Sequence, residues 1–184
     1  MPSAKIRVLA VVAAYCLAIR PSVAATDPDL LAGDIIQIAA PVAALGATWH
    51  YRDTEGRWQF LKSYGLTMVA TYALKEATQN TAWGERPNGG SQSFPSGHTA
   101  SACSAGFFMA ERYGWAWGAP ALAAAVYTGY TRVDERAHHV RDVVAGCALA
   151  FGVSKLFVTK MPERLALGAE VGKGGVSLSM SLRY

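Results

Sequence analysis

Long apolar stretches separated by short polar turns set the pattern of this chain. Five of them run from Asp34 to Tyr51, Trp58 to Leu74, Thr99 to Ala110, Trp115 to Thr131 and Val143 to Val158. Ala and Leu dominate them, and breakers such as Pro41 and Pro120 are few, so each stretch predicts a helix. The tail changes period. Val176, Leu178, Met180, Leu182 and Tyr184 alternate with polar residues, Leu165, Leu167, Ala169 and Val171 alternate likewise, and Gly172-Lys173-Gly174-Gly175 supplies a turn. The expected fold class is all-α, a transmembrane bundle of about five to six helices, with a short C-terminal β-hairpin over 164–184.

The N-terminus predicts a targeting segment over residues 1–25. Lys5 and Arg7 precede an apolar run from Val8 to Ile19, and Val23-Ala24-Ala25 offers small residues for cleavage. Arg20 and Pro21 stop that run short of the ~20 residues a span needs, which favours a cleaved signal peptide over a first transmembrane helix. Residues 26–184 then form a single domain. Within it only Ile35 to Tyr51 and Tyr113 to Thr131 approach the ~17 uncharged residues of a short span. If Thr26 lies outside, alternation of the helices places Arg52, Arg57, Arg112, Lys160 and Arg164 inside, as the positive-inside bias requires. The loops Lys75 to His98 and Arg132 to Asp142 then share the outer side. That reading is a bacterial-type inner-membrane protein facing the periplasm; a soluble periplasmic bundle is the alternative.

Composition narrows the partners. Hydrophobic residues make up 52% of the 184 positions and charged residues 16%, below the ~25% charged fraction of soluble domains. A net charge of +4 without a Lys/Arg cluster argues against nucleic acid and fits an anionic substrate or membrane lipids. Of three cysteines, Cys16 lies in the targeting run, and Cys103 and Cys147 sit in Ala/Gly-rich helices without metal-ligand spacing. They read as buried free thiols rather than a disulfide.

Polar residues are scarce, so three constellations stand out: Arg86-Pro87 with Lys75 upstream, Phe94-Pro95-Ser96-Gly97-His98-Thr99, and Arg132 followed by His138 and Asp142. Pro-Ser-Gly before a helix is a cap context, where unpaired N–H groups and the helix dipole favour an anion. Gly97 allows close approach, Ser96 adds a hydroxyl donor, and His98 can protonate a leaving oxygen. His138 and Asp142, four apart, share a face if helical, so Asp142 can hold one ring nitrogen while the other attacks. Arg132 can grip two oxygens of a phosphoryl group. The plainer readings are a capped helix with a surface histidine, and a salt-bridged helix terminus where Asp134, Glu135, Arg136 and Arg141 crowd together. No carboxylate pair suggests two metal ions, adjacent His138 and His139 diverge on a helix, and no nucleotide-binding glycine fingerprint is present. No cofactor is expected.

Taken in order, these motifs resemble the type 2 phosphatidic acid phosphatase family, whose members carry KxxxxxxRP, then PSGH, then SRxxxxxHxxxD. The similarity runs from about Gly33 to Thr159. The resemblance implies a metal-independent phosphatase acting on a lipid phosphate or pyrophosphate through a phosphohistidine. His138 would be the nucleophile, Asp142 its orienting group and His98 the general acid, with Lys75, Arg86, Ser96, Gly97 and Arg132 binding phosphate. Two departures stand out. Thr131 replaces the serine before Arg132, and Lys75 lies eleven positions before Arg86 instead of seven, with Gln79 at the expected place. A four-residue loop insertion accounts for the second, since Leu74-Lys75 ends an apolar helix. Other readings are a soluble acid phosphatase, a vanadium-dependent haloperoxidase sharing the pocket, or a non-catalytic phosphate- or lipid-binding membrane protein.

Overall fold

The computed structural model describes residues 28–162 and the backbone of 164–172 and 175–183. The expected targeting segment lies outside the described residues. Five helices follow in order: α1 (Pro28–His50), α2 (Thr54–Thr78), α3 (Gly97–Tyr113), α4 (Trp115–Asp134) and α5 (Val140–Phe157). Beyond them, the backbone of β1 (Arg164–Gly172) pairs antiparallel with β2 (Gly175–Arg183), Leu165 facing Leu182 and Val171 facing Val176.

The helices run up and down, joined at one end by Tyr51–Asp53 and by Gly114, and at the other by 79–96 and 135–139. The two loops expected on one side therefore do share a side. Helix α3 is the axle: it packs against each of the other four and buries most of its residues. Its sequence permits this because Ala, Ser, Gly and Cys let neighbouring backbones close in. A Cβ at Gly118 would fall 2.5 Å from Ala110 Cα, and one at Gly146 would fall 2.6 Å from the Ser96 carbonyl oxygen. These glycines set how near α4 and α5 come to α3.

The core divides into two clusters. Phe60, Tyr64, Met68 and Phe108 fill one, with Ala44, Ala105 and Val158. Ala102, Cys103, Ala125 and Ala150 form the other. Here the sequence reading needs correction: Cys103 and Cys147 are not free thiols but a disulfide joining α3 to α5, with Cα atoms 5.3 Å apart. The Gly146 contact brings the two backbones into that range, a proximity that residue spacing along the chain does not express. Removing this 44-residue link with Cys147→Ala is expected to cost about 2–4 kcal/mol. Lower melting temperature of the variant, matched by wild type in reductant, checks it.

Around these apolar clusters, polar side chains are also buried and large apolar ones are exposed. Gln37, Ser63, Thr67, Thr71, Ser101, Thr128 and Ser154 are buried, whereas Ile35, Val42, Val69, Val126, Val144 and Leu156 are exposed. Interior hydroxyls are tied locally, as where Tyr64 Oη meets Ser101 Oγ at 3.0 Å and Ser101 donates to the Gln37 carbonyl at 2.7 Å. Among the described helices α1 alone is long and apolar enough to cross a membrane, with a mean hydropathy of 1.7. The second expected span, Tyr113 to Thr131, falls short because Trp, Tyr, Gly and Thr dilute α4.

Candidate active site

At the end of the bundle where 79–96 and 135–139 connect the helices, α3 and α5 both begin, and their N-termini interlock. Ser96 N–H donates to the Asp142 carbonyl at 2.9 Å, which fixes one helix start against the other. Ser96 caps α3: its Oγ accepts from Thr99 N–H at 3.5 Å and from Thr99 Oγ1 at 3.1 Å, leaving its own O–H to donate. Gly97 and His98 follow in the first turn, so unpaired backbone N–H groups of α3 open here toward any anion.

Lys75, four residues short of the expected place, still arrives. Helix α2 continues to Thr78, and the following loop folds back so that Lys75 Nζ donates to the carbonyls of Gln92 at 2.6 Å and Ser93 at 3.3 Å. Its Cε lies 3.8 Å from where a Gly97 side chain would begin. Gln79 turns away and bonds Glu76 at 2.9 Å. Arg86 sits in the loop, its Nε donating to the Ser91 carbonyl at 2.8 Å, within the electrostatic reach of Asp142, Glu135 and Arg132.

His138 and Asp142 are brought together differently from the helical reading. Helix α5 begins only at Val140, with His139 as its cap, so His138 lies in the preceding turn. No Ser, Thr, Asn or Asp marks that cap in the sequence, which is why the start is misread. Asp142 is the N3 residue of a capping box, and its Oδ2 accepts from His139 N–H at 2.9 Å and from Ser93 Oγ at 2.5 Å. His138 Nδ1 stands 3.7 Å from the same Oδ2, an electrostatic pair rather than a hydrogen bond. The ring is 3% exposed, and the fields of Lys75 and Arg86 reach it. Burial above all holds His138 below its ordinary value, with Asp142 opposing and Lys75 and Arg86 adding. Its neutral, nucleophilic form is therefore the one present near neutral pH.

Arg132 is in the last turn of α4 and buried. It was expected before the helix of His138, and it does bind that segment, its carbonyl accepting from His138 N–H at 3.1 Å. Its guanidinium faces Asp34 at 2.8 Å, Glu135 at 3.0 Å and the Leu30 carbonyl at 3.1 Å. His98 Nε2 meets the same Asp34 oxygen at 3.0 Å. All eight residues singled out from sequence thus surround one end of the bundle. Asp34, Ser93 and Glu135 join them without a motif to announce them.

The whole set, two histidines, three cations and a helix start, is suited to an oxyanion with a departing group. Over residues 8–166 the sequence matches the PAP2 superfamily. The chain belongs to that superfamily. This PAP2-superfamily member is a phosphoester hydrolase. It is similar to the lipid A 4'-phosphatase of Helicobacter pylori, at 29% identity over 164 residues that cover 83% of this chain and 82% of the relative. No solved structure gives a significant match.

Proposed function

We propose that this chain is a membrane-embedded lipid phosphatase that works through a phosphohistidine, with its site on the periplasmic side. The observation that carries the reading is the convergence of His138 and His98 with Lys75, Arg86 and Arg132 around the Ser96–Gly97 helix start. Neutral His138 attacks phosphorus through Nε2; the ester P–O bond breaks, its electron pair goes to the leaving oxygen, and His98 supplies the proton. Water then attacks the phosphohistidine, the P–N bond breaks, and His98 takes the water's proton. The three cations, Ser96 and the α3 N–H groups stabilise the equatorial oxygens throughout. Asp142 steadies the imidazolium side of His138.

A lipid substrate is supported by the apolar outer faces of α1, α2, α4 and α5, which rise to the same end as the site. Leu31, Leu74, Tyr130 and Val140 are exposed beside it. The relative's name makes a lipid A phosphate the first substrate to offer. Arg52, Arg57 and Lys160 at the far end support a cytoplasmic placement there. The test is phosphate release by the detergent-purified full chain from a panel of lipid phosphates, with and without chelator. Turnover of a lipid phosphate undiminished in chelator is expected; turnover that needs a divalent cation would overturn the mechanism, and hydrolysis of soluble esters only would overturn the lipid assignment.

A further inference from the structure

Helix α1 enters the site through a single side chain. Asp34 stands among Gly33, Ile35 and Ile36, five positions beyond Asp29 of the first turn, where a carboxylate is costly unless paired. Its Oδ1 accepts from His98 Nε2 at 3.0 Å and from Arg132 Nη1 at 2.8 Å, and its side chain is 18% exposed. The neighbouring backbone is pressed into place. A Cβ at Gly33 would lie 2.9 Å from Arg132 Nη2 and collide with Thr131 Oγ1, so only glycine lets α1 seat Asp34 at this height.

The arrangement mirrors the nucleophile's. His138 turns Nδ1 toward Asp142 and keeps Nε2 for attack; His98 turns Nε2 toward Asp34 and keeps Nδ1 for donation. We infer that Asp34 is the positioning residue of the general acid, forming with His98 a second His–Asp pair that directs the Nδ1 proton to the leaving oxygen and couples the acid to the phosphate-holding Arg132. The inference rests on the phosphatase reading above. As the P–O bond breaks, the Nδ1 proton of the His98 imidazolium moves to the departing oxygen, and the electron pair of the N–H bond stays on a neutral ring still bonded to Asp34.

The charged groups around His98 make the sign of the effect clear. Burial above all, and then Arg132 from α4, disfavour the imidazolium, and Lys75 from α2 lies against the adjoining Gly97; Asp34 supplies the compensating negative charge, beside a His138 ring that is itself neutral. Without it, His98 gives up its proton at lower pH, so the alkaline limb of the kcat profile moves downward in pH.

General-acid help matters for an alkyl leaving group and little for p-nitrophenolate, which departs unprotonated. The full chain in detergent is assayed on a short-chain alkyl phosphate and on p-nitrophenyl phosphate, with melting temperatures alongside. Asp34→Asn is expected to lower kcat on the alkyl ester by about 100-fold or more and on the nitrophenyl ester by less than about fivefold. Asp34→Glu, which keeps the charge, should return the alkaline limb toward its wild-type position and serves as the test if the Asn variant fails to fold. In a His98→Ala background Asp34→Asn should add nothing. Equal losses on both esters, a raised KM at unchanged kcat, or losses that add to those of His98→Ala would overturn the inference while leaving the phosphatase standing. A wild type that hydrolyses neither ester nor any lipid phosphate of the panel removes both readings together.

Discussion

His138→Ala is expected to lower turnover by about 10⁴-fold or more on every phosphoester the wild type accepts, since removing a nucleophile leaves only binding and charge stabilisation. The ring is held for one task. It is 3% exposed, its backbone N–H is bonded to the carbonyl of Arg132 at 3.1 Å, and its Nδ1 faces Asp142. Unlike loss of the acid, loss of the nucleophile should be insensitive to the leaving group. Rapid quench of wild type with ³²P-labelled substrate under alkaline conditions should trap acid-labile label on the chain, and the variant should trap none. Because burial holds His138 below its ordinary value, the wild-type acid limb of kcat/KM should lie below the usual histidine range, activity being lost as pH falls through that lowered value. A variant retaining more than about one hundredth of wild-type turnover would assign the attack to another group.

The helices could be read in advance because each is a long apolar run, and most of the candidate site residues could be named because Pro95–His98 and Arg132–Asp142 are local in the chain. What was not legible came from distances between helices. Asp34 lies 64 positions from His98 and Ser93 lies 49 from Asp142, so no spacing rule pairs them. The disulfide depends on α3 and α5 approaching through Gly146, and Cys103 and Cys147 each look like one more small core residue. Lys75 shows the opposite case. Its spacing to Arg86 departs from the family's and was read as a loop insertion; the loop returns Gln92 and Ser93 to its side chain, a fold-back that a one-dimensional count cannot register. His138 was read onto a helix face because i and i+4 positions share one, whereas a histidine cap delays the helix until Val140.

The far end of the bundle is held by another buried constellation, and Asp53→Ala is expected to destabilise the protein by about 3–5 kcal/mol while leaving the chemistry of the folded fraction unchanged. Arg112 grips Asp53 with both arms, Nη2 to Oδ1 and Nε to Oδ2, each at 2.6 Å, and the two side chains are 3% and 5% exposed. Asp53 also caps α2 through Gly56 N–H at 2.8 Å and accepts from Tyr113 Oη at 3.1 Å. Arg112 in turn donates to the Thr159 carbonyl at 2.8 Å, so one ion pair joins the start of α2, the end of α3 and the exit from α5. Truncating Asp53 uncaps α2 and strands a buried guanidinium, and the second cost dominates. Asp53→Asn with Arg112→Leu should therefore recover much of the loss, because both charges leave together. Burial works against the Asp53 carboxylate, but Arg112 and the Gly56 N–H outweigh it and hold the group below its ordinary value. Its stabilisation is thus present above that value and lost as pH falls through the lowered one. Wild type should show a melting temperature that drops steeply below about pH 4, and the single variant a lower, flatter curve. A melting temperature unchanged by Asp53→Ala would mean that water or lipid headgroups solvate Arg112, and that hydrophobic packing around Phe60 and Phe108 alone secures this end.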